Sequence, residues 1–518
     1  MSSQPRPSPR AADLTRRGYI FRSTLFNWGG HLVYVIAGFI IPRFVDRRLG
    51  AELLGVWDFG WSLVGYIDLM MLGLVSAVNR FVARHRERNE TEELNRCVNS
   101  SLVVMAASTL LALGLTVVFV LATPQLLGGL SPAAEHQARM MMLLLGISGA
   151  VQLPSGIFNG VVTGCARFGL KNVIRSGAHA LAVVGMIAVV WQGYGLIALA
   201  AVCLAEQILT AVLFAAASFR LCPELTLAAR YCRLETVRTL VAFSGKALAA
   251  SIGRSVLYQT NAILLAWYLG PVALAVFSRQ RALVLHGVRF ATQFGHAFLP
   301  ASSVLEARGD RAALASLMID SARCGLAMAL PMVIFLTLLG TPLMEVWMGP
   351  AYVSPAVLVI LALGHLFSMA HRGTYAALAG MNRHSVPAFS EVAGALFGVA
   401  LGVTLMGPLK LGMIGAAVSV VVPVTWAGGM MVVREAGRAL NVPLGALLWQ
   451  TSARPLAAAA PFGLCCLMVR LALFDQPLYA LLAGGLAGGA VLAATYWYVL
   501  LSPAIRGRIL NRFVPSLA

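Results

Sequence analysis

Charge is scarce in this chain: only 11% of its 518 residues are Asp, Glu, Lys or Arg, while 59% are hydrophobic. That leaves too little polar surface to cover a water-soluble globule, so a soluble protein is excluded. Lysine is almost missing. Lys171, Lys246 and Lys410 stand against 36 arginines, a preference that reads as genomic base composition and carries no mechanism. Acids are few as well, which sets the net charge at +19. Such a charge suits nucleic acid when it gathers on one soluble domain. Here the arginines are spread over many short loops, where topology and attraction to anionic lipid account for them. No loop approaches the roughly 50 residues of a small soluble domain, which excludes an extramembrane catalytic domain. Neither a nucleophile–base pair nor a cluster with metal-ligand spacing is present, so no enzymatic activity, metal or cofactor is expected. Of the eight cysteines, Cys97, Cys165, Cys222 and Cys232 map to inner loops and Cys203, Cys324, Cys465 and Cys466 to helices. None reaches an oxidising side, and disulfides are not expected. The first 22 residues carry Pro5, Pro7 and Pro9 and no apolar core, as in a disordered tail and unlike a cleavable signal.

What the chain does have is a succession of apolar runs of membrane-spanning length, each near the roughly 20 residues that a bilayer core requires. Helices are expected near 23–45, 55–79, 99–122, 140–163, 176–192, 195–217, 239–265, 275–302, 316–338, 353–377, 385–406, 411–433, 455–473 and 479–501. Arginine and lysine fall in the N-terminal tail and then in alternate loops: Arg80 to Arg96, Arg167 to Arg175, Arg220 to Arg238, Arg308 and Arg311, Arg383, and Arg434 to Arg454. The intervening loops hold little beyond Arg47, Arg48, Arg139 and Lys410. By the positive-inside bias both termini are cytoplasmic, which requires an even number of spans in a cell (inner) membrane.

An internal repeat underlies this pattern. Leu49-Gly50-Ala51-Glu52-Leu53-Leu54-Gly55-Val56-Trp57 matches Leu269-Gly270-Pro271-Val272-Ala273-Leu274-Ala275-Val276-Phe277 at an offset of 220, and Arg88-Asn89-Glu90 meets Arg308-Gly309-Asp310 at the same offset. Gly164-Cys165-Ala166-Arg167 matches Gly380-Met381-Asn382-Arg383, and Gly195-Leu196-Ile197-Ala198 matches Gly412-Met413-Ile414-Gly415, at 216 and 217. Helices one to six then pair with helices seven to twelve. Because six is even, the halves share an orientation, with a symmetry axis along the membrane normal and a binding site expected between them near the midplane. The expected organisation is an all-α integral membrane protein of about 14 transmembrane helices, with two pseudo-symmetric six-helix lobes and two C-terminal helices. Its parts are a tail at 1–22, an N-terminal lobe at 23–217, a cytoplasmic linker at 218–238, a C-terminal lobe at 239–433, helices thirteen and fourteen with their preceding loop at 434–501, and a tail at 502–518.

An ionised side chain at mid-bilayer costs about 3 kcal/mol on insertion scales, so such residues face a wet cavity or each other. They concentrate in helices seven and eight. At 100° per residue, Arg279, His286, Arg289, Gln293 and His296 fall on one arc of about 100°, and Lys246, Arg254 and Asn261 within about 80°. The first helix adds Asn27, His31 and Tyr34, and the tenth adds His365 and Arg372. Lys246, Arg279 and His296 are close enough to helix ends to snorkel towards headgroups. Arg254 and Arg289 sit deeper. Basic residues without matching carboxylates make a positive cavity that invites a phosphate or pyrophosphate, so Lys246, Arg254, Arg279, Arg289 and Arg372 are the candidate substrate-binding residues. Among the acids, Asp58 and Asp68 lie about 80° apart on helix two and are candidates for binding a coupling ion or for pairing with cavity arginines. Glu206, Asp320 and Glu391 lie on helices six, nine and eleven.

The stretch Arg47-Arg48-Leu49-Gly50 through Gly55-Val56-Trp57, then Asp68 to Leu74 and Ala77-Val78-Asn79-Arg80-Phe81, resembles the bacterial polysaccharide flippases. The second-half stretch at Leu269-Gly270 and the loop Ala379-Gly380-Met381-Asn382-Arg383 fit as well, so the likeness spans most of residues 20 to 435. The spacing within Asp68 to Leu74 departs from the family's common pattern by extra residues. The resemblance places the chain in the multidrug/oligosaccharidyl-lipid/polysaccharide superfamily. It implies two six-helix lobes around a cavity lined by helices one, two, seven and eight, and alternating access that flips a polyprenyl-pyrophosphate-linked oligosaccharide to the outer leaflet. Partners implied are that lipid-linked glycan, the bilayer and other proteins of polysaccharide assembly. A multidrug extruder of the same superfamily would want carboxylates in the cavity. A membrane glycosyltransferase or polymerase would want acids on a sizeable outer loop, where Asp46, Glu52, Glu135, Glu345 and Asp475 are scattered. A scaffold of polysaccharide assembly that does not transport is compatible with the same residues.

Overall fold

The computed structural model describes the backbone of residues 17–501 except Leu72, His296, Ala297 and His384, with residues 503, 506 and 507 beyond; side chains are described over the same residues except 17–32, 243–250, 293 and 294. The expected tails therefore fall largely outside the described residues. So do the side chains of Asn27, His31, Lys246, Gln293 and His296.

Helices and short turns make up the described residues, with no strand among them. In chain order they are α1 (17–49), α2 (51–69, followed by Leu74–Glu87), α3 (Thr91–Leu126), α4 (Pro132–Gly164), α5 (Phe168–Trp191), α6 (Leu196–Leu221), α7 (234–269) and α8 (271–295, followed by Phe298–Arg308). There follow α9 (Arg311–Trp347), α10 (Pro355–Ala370 and Arg372–Gly380), α11 (Ser385–Met406), α12 (Gly412–Thr425, through a π turn to Met431–Leu440), α13 (Leu444–Ala472) and α14 (Pro477–Thr495). Lipid offers no partner for backbone amides, so spanning segments must satisfy them internally, which helices do. Among the described residues eleven helices are long and apolar enough to cross a membrane, or twelve with a bent pair counted as one. This is a multi-pass membrane protein.

Several helices outrun the apolar runs that announce them. At 1.5 Å per residue, α3, α4 and α9 extend about 50 Å or more, against a hydrocarbon core of about 30 Å. Their polar ends are built for water: Ser131 caps α4 by accepting from the Ala134 amide at 3.2 Å, and Asp310 caps α9 by accepting from Ala313 at 3.0 Å. In the first turn of α3, Glu92 and Glu93 both take Arg96, at 2.6 and 2.5 Å. The largest difference from the hydropathy reading is α5, which starts at Phe168 and so carries Lys171 and Arg175 in its first turns instead of in a loop.

The repeat is written into the backbone. Gly50 and Gly270 take nearly one conformation (φ 87°, ψ 166° and φ 82°, ψ 171°), which breaks a helix in two and which a residue with Cβ adopts only with strain. Four further pairs share a left-handed φ at the sequence offsets of 220, 216 or 217: Asn89 with Gly309, Gly129 with Gly349, Ala166 with Asn382, and Gly193 with Lys410. The matching extends to packing. A Cβ on Gly164 would lie 2.9 Å from the Asn79 carbonyl oxygen and from Val82, and one on Gly380 would lie 2.5 Å from the Leu299 carbonyl oxygen and 2.1 Å from Ser302. Asn79 and Val82 correspond to Leu299 and Ser302 at the offset of 220. Close backbone approach over small residues is how membrane helices gain packing without a hydrophobic drive.

Packing divides the chain into two compact units, one running through Ser255 with Gly270–Val272, the other comprising Val256–Leu269 and Ala273 onwards. In the first, α4 is the hub, and its glycine stripe (Gly149, Gly156, Gly160, Gly164) takes Ile67, Met71, Val78 and Val82 of the α2 region. The break in α2 between Leu69 and Leu74, with Gly73 at φ 86°, falls where the sequence departs from the family spacing. The extended segment after α6 is stapled to α3 by side-chain amides: Asn95 donates to the Glu224 carbonyl (3.0 Å) and accepts from the Thr226 amide (2.7 Å), and Asn99 donates to the Thr226 carbonyl (2.9 Å) and accepts from the Ala228 amide (3.0 Å). In the second unit α9 packs on α10, α13 and α14, with Leu314, Met318, Leu378 and Val432 in one buried cluster and Leu339, Phe462 and Cys466 in another.

Candidate functional site

Each unit carries a polar cluster within its helices. In the first, α5 presents Arg175 and His179 one turn apart, the spacing that puts two side chains on one face. His179 Nδ1 meets Glu206 Oε1 of α6 at 3.0 Å, both largely shielded from solvent. Tyr34 of α1 stacks its ring on His179, centroids 4.0 Å apart and planes 16° from parallel, and shares a hydrogen bond with Arg175. Arg175 also acts electrostatically on Asp68 of α2, whose Oδ1 accepts from Gln152 Nε2 of α4 at 3.0 Å. Four helices thus supply one group each, and α5 supplies two. The ionisable set is two carboxylates against one guanidinium and a histidine.

The second unit's cluster centres on a histidine acted on by two arginines. Tyr258 Oη of α7 and His365 Nε2 of α10 are 2.9 Å apart, and His365 Nδ1 lies 2.8 Å from the Leu361 carbonyl. Arg281 of α8 donates to the Tyr258 carbonyl at 3.2 Å, and both Arg281 and Arg372 act electrostatically on the buried His365. Next to it, Gln280 is fully buried and donates to the Tyr352 carbonyl at 2.5 Å. Asn261 anchors α7 on α12 by donating to Ser419 Oγ at 2.8 Å and to the Ala416 carbonyl at 3.1 Å. Neither the described part of α8 over 271–295 nor α10 contains an acidic residue.

The family model of polysaccharide biosynthesis proteins matches residues 20–306, more than half of the chain. The chain belongs to that family. This polysaccharide biosynthesis protein is 23% identical over 406 residues to the uncharacterized membrane protein EpsK of Bacillus subtilis (strain 168), covering 75% of this chain and 77% of that one. It is 21% identical over 405 residues to a Shigella flexneri protein named as a candidate O-antigen transporter, covering 77% and 94%. Among solved structures, the lipid II flippase MurJ in an inward closed conformation superposes with a TM-score of 0.67 at 14% identity, over 93% of this chain and 100% of the other. An inward-facing multidrug resistance MATE family transporter of the MOP superfamily shares the fold, with a TM-score of 0.67 at 15% identity over 80% of this chain and 94% of the other.

Of the residues singled out from sequence, the structure brings Asp68 to Gln152 and within electrostatic reach of Arg175, and Arg372 within electrostatic reach of His365. Arg279 is buried in α8, Arg254 is half-buried in α7, Arg289 is exposed on α8, and Asp58 is half-buried in α2 away from that cluster. The side chain of Lys246 lies outside the described residues. Sequence reasoning missed Arg175, His179 and Gln152 in the polysaccharide biosynthesis protein's first unit and Arg281 and Tyr258 in its second. The available signal was that Glu206 is the lone acid of α6 and His179 the lone histidine of α5, each needing a partner.

Proposed function

We propose that this protein flips a polyprenyl-pyrophosphate-linked oligosaccharide from the cytoplasmic to the outer leaflet of the cell membrane, with both of its termini cytoplasmic. The feature that carries the reading is the run of basic residues in the second repeat: Lys246, Arg254, Arg279, Arg281, Arg289 and Arg372 belong to α7, α8 and α10, whose acids are Glu235 at the start of α7 and Glu306 near the end of α8. Basic groups held in a low-dielectric setting replace the water around a dianionic pyrophosphate, and arginine does so through paired N–H bonds. The glycan stays hydrated and the polyprenyl tail stays in lipid. No covalent bond changes; the two sides of the membrane gain access in turn. The proposed lobes are 23–217 and 239–433, with 218–238 as the linker.

The same reading gives the first repeat the coupling role. Asp68 with Gln152 and Arg175, and Glu206 with His179, form a set able to take up and release a proton or small cation, and Asp58 lies apart from it on the same α2 as Asp68. The decisive experiment is removal of the protein followed by lipid extraction of the inner leaflet. A lipid-linked oligosaccharide should accumulate there while surface polysaccharide disappears. Normal surface polysaccharide with no accumulated intermediate rejects the proposal.

A further inference from the structure

Outside the membrane-spanning helices, at the inner end of the first unit, two thiols face each other. Cys165 ends α4 just before the left-handed Ala166, and Cys222 ends α6, its amide bonded to the Ser218 carbonyl at 2.9 Å. Their sulfurs are 3.1 Å apart. A disulfide needs about 2.05 Å, so closing the bond takes a movement of about 1 Å. The two thiols are not equivalent. Cys222 is fully buried, whereas Cys165 is half-exposed. The Arg86 guanidinium, fixed by donating to the Leu221 carbonyl at 2.7 Å and 3.8 Å from Glu224, sits beside Cys165 as a positive charge.

We propose that Cys165 and Cys222 form a peroxide-sensitive thiol pair in which Cys165 takes the oxidant and Cys222 resolves it, closing a reversible disulfide between the α4–α5 turn and the segment after α6. The Cys165 thiolate attacks one oxygen of hydrogen peroxide, the O–O bond breaks, and hydroxide leaves with the electron pair and is protonated to water. The resulting sulfenic acid is attacked by the Cys222 sulfur, which gives up its proton as the S–O bond breaks and a second water leaves. Two thiols and one peroxide give one disulfide and two waters. The polarity follows the surroundings: the hydrogen bond from Cys222, then Arg86, draws Cys165 down to about 7, while the bond to Cys165 and burial push Cys222 up. In a reducing compartment such a bond is transient and signals oxidation. The compartment rests on the orientation proposed above; the chemistry does not. Closure makes covalent a segment already stapled by Asn95 and Asn99.

The test is peptide mass spectrometry of the purified full-length protein after a few equivalents of hydrogen peroxide near neutral pH. A Cys165–Cys222 cross-link that dithiothreitol reverses is expected. Cys222→Ser should leave a sulfenic acid on Cys165 that dimedone traps, and Cys165→Ser should leave Cys222 as the thiol at the same dose. Arg86→Gln should slow Cys165 oxidation about tenfold. Absence of the cross-link in the parent protein, or oxidation of Cys222 in Cys165→Ser at the parent's rate, overturns the proposal. A membrane-impermeant maleimide applied to sealed vesicles of either orientation should reach Cys165 from the inner face alone. Labelling from the outer face overturns the orientation and leaves the detergent chemistry to stand or fall by itself.

Discussion

The two repeats agree in backbone and disagree in charge. Five left-handed positions and the glycine contacts at Gly164 and Gly380 recur at one set of offsets. Yet where the first repeat gathers Asp68, Glu206, Arg175 and His179, the second gathers Arg281, Arg372, Tyr258 and His365. Turns and close helix crossings are therefore what the shared architecture demands, and the ionisable residues are where the halves differ. A single symmetric site would have placed matching groups at matching positions. Asp58 and Asp68 instead correspond to Ser278 and Val288.

Breaking the charge asymmetry should have the largest effect. Arg254→Ala or Arg289→Ala should lower surface polysaccharide at least about tenfold, the factor that roughly 1.4 kcal/mol of lost phosphate recognition gives, with membrane abundance unchanged on immunoblots. Full activity in both variants removes the second repeat from cargo recognition. If Glu206 has the coupling role proposed above, Glu206→Gln in the first repeat should slow transport several-fold while binding of the lipid-linked glycan to purified protein stays within about twofold. Equal loss of binding in the arginine and Glu206 variants erases the division of labour. The packing half of the comparison is sharpened by alanine at the paired glycines. Gly380→Ala, with its tighter contact, should lower thermal stability in detergent by about 1–3 kcal/mol and Gly164→Ala by less. The smallest effect is expected at the left-handed pair. Ala166→Gly should stabilise by up to about 1 kcal/mol, since alanine strains there, and Asn382→Gly by a few tenths, since asparagine tolerates the region. Opposite signs at the two positions would show that the turns are not equivalent.

The membrane class, the succession of helices and the repeat were legible because each is a property of hydropathy and spacing along the chain. The break between Leu69 and Leu74 was marked by its unusual spacing, though the direction of the bend was not. Helix ends were not legible at α5: hydropathy sees the hydrocarbon, and Arg175 is helical yet polar, so it read as loop. The first-unit cluster escaped for a different reason. Its members come from α1, α2, α4, α5 and α6, and Tyr34 and His179 are brought to ring contact by packing that periodicity on a single helix does not report. On α8 the helical arc found Arg279 and Arg289, while Arg281 fell off that arc and acts through the α7 carbonyl of Tyr258.

The amide staples on α3 bear on how the chain is made. Asn95 and Asn99 lie upstream of the stretch they grip, so a nascent polypeptide emerging from the ribosome already owns the partners for that stretch when Ala228 is added. The leading half can thus close its own seam before the trailing half is synthesised, with no dangling backbone to recruit a wrong neighbour. A gene divided just past Arg233 should accordingly yield two polypeptides that insert separately, the first of them resistant to protease at residues 222–233.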